Sequence, residues 1–201
     1  ILDRNVNGSL HVEPLIKVVE EIIDRIARPV GRLLFKDRIG CDDDIDYYAF
    51  TIQYDGAESE TSDNVKDKEL KEHRDASVVT LNINLNLPSE GYEGSEVFFR
   101  GYPSADGYGA DLFEVENDEE NGGTVKFTPG MAIIHLGAHR HGSHPITAEH
   151  LNSDRGEQTV GKRFNLVIWL FGKNGDVRIA PYTKLEQLTA TERWRGCNTG
   201  E

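Results

Sequence analysis

Ten residues, Val78–Leu87 (VVTLNINLNL), constrain the fold of this chain more than any other stretch. Val79, Leu81, Ile83 and Leu85 fall on one side of an extended backbone, and Thr80, Asn82, Asn84 and Asn86 on the other. A period of two is the pattern of a strand with one face on a hydrophobic core. The opposite face is a row of hydroxyl and amide groups, costly to bury unless each finds a hydrogen-bond partner. The segment therefore predicts a strand between a core and a polar pocket.

Further strands are expected at Tyr47–Tyr54, Val97–Phe99, Thr124–Phe127, Met131–Leu136 and Phe164–Phe171, separated by Gly, Pro, Asn and Asp. Many short strands with such punctuation indicate a mainly β sandwich or jelly roll. Ahead of them, Leu15, Val18, Val19, Ile22, Ile23 and Ile26 recur at three- and four-residue spacing. They predict an amphipathic helix from Glu13 to about Ile26, ended or kinked by Pro29, with a short turn of helix resuming over Val30–Phe35. Asp42–Asp44 reads as a loop, and Asp55–Lys71 and Thr147–Val160 as polar insertions that could cover a site. Lys184–Arg195 reads as a short C-terminal helix. The expected organisation is a helical support over 1–45, a β-rich domain over 46–183, and a C-terminal helix and tail over 184–201.

With 201 residues, the chain has room for one core. No apolar run reaches the ~18 residues of a membrane span. Acidic residues outnumber basic ones by 35 to 22, a formal net charge of −13. That balance argues against nucleic acid as the main partner, because phosphate backbones are gripped by Lys and Arg. The excess acid reads mainly as solubility, with a cationic peptide partner as the sharper alternative. Cys41 and Cys197 offer no metal-ligand spacing and read as free thiols, although one bridge is conceivable. The chain starts at Ile1 and reads as processed or truncated, with a cytoplasmic setting favoured over a secretory lumen.

His73-Arg74-Asp75 precedes the alternating strand. In an extended segment, residues two apart point the same way, so an imidazole and a carboxylate converge. A second cluster, PGMAIIHLGAHRHGSHPIT (129–147), holds His135, His139, His141 and His144, and GKRFNLVIWL (161–170) follows. His141 is a candidate third ligand, and by alternation alone His139 serves equally well. Two imidazoles and one carboxylate on one face leave positions open on an Fe(II) ion for an organic cosubstrate and O2. Arg163 can offer a bidentate fork to a carboxylate. Trp169 reads as core, Tyr92 as a turn or packing residue, and His144 and His150 as surface or supporting residues.

Together, HRDASVVTLNINLN (73–86), YEGSEVFFRG (92–101), PG-x-A (129–132), H-x-x-x-P-I-T (141–147) and G-x-R-x-x-L-V-x-W (161–169) resemble the 2-oxoglutarate/Fe(II)-dependent oxygenase superfamily, nearest its prolyl- and lysyl-hydroxylase branch. The likeness covers Tyr47 to Leu170 and departs from the family pattern in the long segment Thr147–Val160. It implies a double-stranded β-helix braced by the N-terminal helix. It implies His73, Asp75 and His141 as the catalytic iron ligands, His141 being favoured over His139 because it lies four residues before Pro145. It also implies Arg163 at the C5 carboxylate of 2-oxoglutarate, with Tyr54, Asn82, Asn84 and Thr80 around the cosubstrate. The implied reaction hydroxylates a C–H bond, first a peptidyl Pro or Lys, consuming O2 and releasing succinate and CO2, with ascorbate as a possible reductant. The same chemistry on a free amino acid or other small molecule is the alternative, and a non-catalytic jelly-roll binding module the next. A zinc hydrolase on the His-rich turn lacks a HExxH helix.

Overall fold

The computed structural model describes residues 13–36, 47–57, 68–101, 123–137, 139–147, 150–152, 157–159 and 161–171. Asp42–Asp44, the expected helix at Lys184–Arg195, Cys41, Cys197 and residues 58–67 of the first polar insertion lie outside them.

The fold is mainly β, in antiparallel sheets. The first sheet has the order β1 (Tyr47–Asp55), β12 (Lys162–Leu170), β3 (Val79–Asn84), β7 (Ala132–Leu136). The second has the order β2 (Leu70–His73), β8 (Arg140–Ser143), β5 (Val97–Arg100), β6 (Gly123–Val125). A short pair joins β4 (Glu93–Gly94) to β9 (Ile146–Thr147). The expected insertion Thr147–Val160 carries regular backbone: β10 (His150–Asn152) pairs with β11 (Glu157–Thr159). Polar composition concealed this hairpin, because it has no alternating apolar face to betray it.

Alternation sorts each strand of the first sheet into two faces. Ala49, Val79, Leu81, Leu166, Ile168 and Leu170 pack with Val19, Ile23 and Ala27 of the helical segment. The opposite faces of β1, β3 and β12 turn toward the second sheet, and a cavity of about 340 Å³ lies between the two.

Helix α1 (Glu13–Ile22) passes into a π-helical turn, Ile23–Ala27, and on into α2 (Arg28–Leu34). Pro29 lies in the first turn of α2, so it neither ends the helix nor needs an N–H there. The widened turn before it closes with Arg28 N–H donating to Ile23 O. The buried stripe is also narrower than expected and set to one side: Ile16, Val19, Ile23 and Ala27 are buried, whereas Leu15, Val18 and Ile26 are exposed. The apolar arc of the sequence is wider than the line of contact one sheet face can offer. Ile23→Ala should therefore cost about 2–5 kcal/mol through lost burial and a cavity. Ile26→Ala, the same chemical change at a 48% exposed position, should stay within about 0.5 kcal/mol. Urea denaturation of the two variants checks the assignment, and equal losses would refute it. Among the described residues, no helix is long and apolar enough to cross a membrane.

Candidate active site

The cavity is lined from the first sheet by Phe50, Tyr54, Thr80, Asn82, Arg163 and Trp169, and from the second by His73, His141 and Ser143, with Asp75 between. His73 ends β2 and pairs directly with His141 on β8, so strand register places the two rings 4.4 Å apart. Asp75 sits in the turn leading to β3, its N–H donating to Gly137 O. His73 Nε2 lies 3.3 Å from Asp75 Oδ1, and His141 Nε2 3.6 Å from Asp75 Oδ2. One ligand atom from each of His73, Asp75 and His141 falls within 4.8 Å of the others, a grouping able to hold a metal ion.

The ring orientations are fixed from behind. His73 Nδ1 lies 2.8 Å from Lys71 O, and His141 Nδ1 2.8 Å from His139 O. A carbonyl only accepts, so each Nδ1 carries a proton and each Nε2 points inward. His139 is turned the other way: its Nε2–H donates to Gly101 O at 2.7 Å. The two histidines that alternation left equivalent thus sit in different environments.

Burial opposes ionisation of Asp75, but hydrogen bonding to His73, the neighbouring imidazoles and the Thr80 hydroxyl outweigh it and hold the carboxyl at about 2. Burial lowers His141, helped by the charge of His73, and lowers His135 to about 3, helped by His141. Burial also opposes protonation of His73, yet its Asp75 and Lys71 partners leave it above the ordinary value. An anionic Asp75 beside His141, whose burial disfavours protonation, suits a divalent metal, and His73 gives up its proton on joining them.

At the other end of β12, Arg163 is 1% exposed. Its guanidinium lies 4.2 Å from the centre of the Tyr54 ring, its cross-strand partner. One of its terminal nitrogens donates to Ser95 O, while Nε has no hydrogen-bond partner among the described residues. The Ser95 carbonyl is aimed by two successive left-handed residues, Gly94 (φ 71°) and Ser95 (φ 60°). A Cβ at Gly94 would come within 2.4 Å of Pro145 O, which excludes any other residue there. Ser95 holds a conformation costing about 1–2 kcal/mol for the sake of that carbonyl direction.

The remaining expected site residues divide. Tyr54 and Asn82 line the cavity, and Asn82 Oδ1 is buried without a partner among the described residues. Thr80 faces the cavity, but its hydroxyl is committed to Asp75 Oδ2 at 2.6 Å. Asn84 is absent from the cavity wall; its amide donates to Tyr92 O–H at 2.6 Å and Phe127 O at 2.8 Å. Both therefore act through neighbours: Thr80 steadies Asp75, and Asn84 steadies Tyr92, which itself hydrogen-bonds Arg163. Trp169, expected in the core, is half-buried and lines the cavity, meeting Phe50 edge-on at 5.3 Å. It shares a strand face with Arg163 and Val167, while the core takes Leu166, Ile168 and Leu170.

Two residues of the site escaped the sequence reading. Asn165, fully buried on the cavity side of β12, has neither amide atom partnered among the described residues. Its position two after Arg163 was the available signal. His135 on β7 packs 4.4 Å from the His141 ring.

Thr80→Val should keep the packing while removing the hydroxyl from Asp75. Loss of such a support typically costs a metal site about 10–100-fold in affinity. Competition with a chromophoric chelator measures it, and unchanged affinity would exclude the supporting role.

No protein-family model matches the chain. Over 152 residues it is 27% identical to the 2-oxoglutarate and iron-dependent oxygenase domain-containing protein ICU11 of Arabidopsis thaliana, covering 76% of this chain and 31% of that protein. Over 158 residues it is 29% identical to the 2-oxoglutarate and iron-dependent oxygenase domain-containing protein 2 of Xenopus tropicalis, covering 78% and 35%. The chain thus spans about a third of the length of the curated relatives it matches. Among solved structures, a Pseudomonas putida prolyl-4-hydroxylase aligns with TM-score 0.47 and 14% identity, over 85% of this chain and 73% of that one. An oxidoreductase of the 2OG-Fe(II) oxygenase family from Burkholderia pseudomallei aligns with TM-score 0.47 and 13% identity, over 85% and 63%. The names of the sequence relatives support the 2-oxoglutarate/Fe(II) oxygenase superfamily. With the His–Asp–His cluster they support Fe(II) and 2-oxoglutarate as cofactors. The donor set fits both: two nitrogens and a carboxylate for the ion, and a buried guanidinium with an open Nε for an anionic cosubstrate.

Proposed function

We propose that residues 46–183 form the catalytic unit of an Fe(II)- and 2-oxoglutarate-dependent dioxygenase, built as a double-stranded β-helix braced by the N-terminal helices. One observation carries the reading: a single cavity holds the His73–Asp75–His141 cluster and a buried, incompletely partnered Arg163. His73, Asp75 and His141 are the residues that would hold iron. Bound there with 2-oxoglutarate and O2, it supplies the oxidant for C–H hydroxylation, with succinate and CO2 as coproducts.

The rest is the work of the chain itself. Arg163 takes the distal carboxylate of the cosubstrate, and the face of Tyr54 keeps the guanidinium flat and in place. Asn82 lines the same space with an amide oxygen that has no partner among the described residues, a place for a donor group and not for a carboxylate. Thr80 donates to Asp75 and fixes the direction of its carboxylate. Phe50, Val97 and Trp169 supply apolar wall that limits water around the site.

The substrate class we favour is a peptidyl Pro or Lys, supported by the likeness of HRDASVVTLNINLN to the prolyl- and lysyl-hydroxylase branch. The net charge of −13 suits a cationic peptide over a nucleic acid. Succinate release, measured with Fe(II), ascorbate and panels of Pro- and Lys-containing peptides and free amino acids, tests the proposal. Turnover of peptides supports it, and turnover of free amino acids alone would reassign the substrate. Absence of the visible charge-transfer band of an Fe(II)–keto acid chelate, with iron bound under nitrogen, would remove the reaction class.

A further inference from the structure

The sheet that carries His73 and His141 also has an outer face, and near the metal ligands that face is basic. Alternation turns Phe99 and His141 inward and their neighbours Arg100 and Arg140 outward, and the two arginines are cross-strand partners. Both share one carboxylate, Glu72. Arg140 holds it closely, Nε donating to Oε1 at 2.6 Å and a terminal nitrogen meeting the same oxygen. Arg100 Nε stays 3.7 Å from Oε2, and Arg100 makes no hydrogen bond among the described residues.

Arg100 is nonetheless held in place. Its guanidinium lies over the Phe98 ring, 5.1 Å from the centre. Phe98 lies across Gly142, where a Cβ would come within 2.5 Å of the ring, and His144 packs on it at 5.0 Å. An arginine that serves solubility alone spreads into water. One that is stacked, 32% exposed and short of a hydrogen-bonded acid is set to receive an oxyanion.

The place of this pair in the fold gives it a role. Strand β5 ends at Arg100, β8 begins at Arg140, and β2 ends one residue after Glu72, so all three stand at the end of the sheet where His73, Asp75 and His141 converge. Arg74, on the cavity wall between two of those ligands, lies in the field of both Arg140 and Glu72. Arg163 claims the far end of the cavity for the cosubstrate, which leaves this end for the substrate.

We propose that Arg100 and Arg140 form an anion-recognising rim beside the metal, which selects a peptide carrying an Asp or Glu side chain within a few residues of its target. The inference rests on the peptide hydroxylase reading above and narrows its substrate class. The acidic excess of the whole chain acts at long range and favours a peptide that is basic overall, whereas at this rim the sign reverses and fixes register.

Fluorescence anisotropy of labelled peptides on the Zn(II)-loaded protein tests the rim without turnover. The panel centres on Pro or Lys and moves one Glu, or Gln in its place, through the three positions on either side. At one position or more, Glu should bind about two- to tenfold tighter than Gln, the worth of one or two exposed ion pairs, and the advantage should shrink at high salt. Arg100→Gln should lose most of that advantage, and the Arg100→Gln, Arg140→Gln double variant all of it. Arg100→Lys, which keeps the charge without the flat stack, should keep part. Equal affinity of Glu and Gln peptides at every position, failure of both to bind included, would overturn the rim. An advantage that survives the double variant would overturn it too. Absence of the Fe(II)–keto acid band in the wild type would instead sink the oxygenase reading, and the same band in the double variant shows its site intact. If the double variant does not fold, Arg100→Gln against Arg100→Lys decides.

Discussion

Arg163→Ala is expected to raise the 2-oxoglutarate requirement roughly thirty- to several-thousand-fold while leaving metal affinity nearly unchanged. The guanidinium is buried, lies on Tyr54 and keeps an Nε without a partner among the described residues, so an incoming carboxylate meets a fixed charge and not a solvated one. Truncating one partner of a buried charge pair costs about 2–5 kcal/mol, and each ~1.4 kcal/mol is tenfold. Titrating the cosubstrate against the Fe(II)-chelate absorbance reads the affinity directly. Lys162→Ala is the control: its side chain is exposed and lies 3.5 Å from Asp55 on the outer side of the strand. Lys162 lies on the strand face opposite the cavity, so losing this ion pair should barely move the cosubstrate requirement. Damage from Lys162 exceeding that from Arg163 would place the wrong residue in the pocket.

His141→Ala should weaken metal binding by more than about a hundredfold, beyond the range set by supporting residues. His139→Ala should leave it within about twofold, because its Nε2–H is spent on Gly101 O. It should instead lose about 1 kcal/mol of stability with that hydrogen bond. Equilibrium competition for Zn(II), paired with thermal unfolding, separates the two effects. Equal loss of metal in both variants would dissolve the distinction between them.

The parts of the fold legible in sequence were those where one face is apolar and the other polar. Val79 and Leu81 reach the core and Thr80 and Asn82 the cavity, as the alternation at 78–87 required. The same rule failed where both faces carry large side chains. Trp169 was assigned to the core by its neighbours' hydrophobicity, although its parity with Arg163 placed it on the cavity side. Helix α1 misled for a related reason, its apolar residues covering more arc than the sheet can contact. The hairpin of β10 and β11 was invisible because Leu151 is the one apolar residue of its two strands, too few to alternate.

Within the site, spacing brought His73, Asp75 and His141 together, but it could not tell which polar neighbours face a ligand and which face each other. Thr80 and Asn84 share a strand side with Asn82, yet their hydroxyl and amide are consumed by Asp75 and by Tyr92 and Phe127. His135 was hidden because its relevance depends on β7 pairing with β3, which sets it opposite Thr80.

Strand β12 also works as a gauge. Its register fixes Trp169 opposite Thr80 and Asn165 opposite Asn84, so Arg163 stands at the far end from the Asp75 carboxylate that Thr80 holds. Six steps of extended backbone lead from Arg163 to Trp169, roughly 20 Å between backbone positions at ~3.3 Å per residue. Inserting one residue between them would turn Arg163 onto the helix side of the sheet, and inserting two would keep its face but carry it about 7 Å farther away. Neither error is repairable by a side chain. Length is therefore free to vary before Gly161, where the β10–β11 hairpin lies, and is held fixed after it.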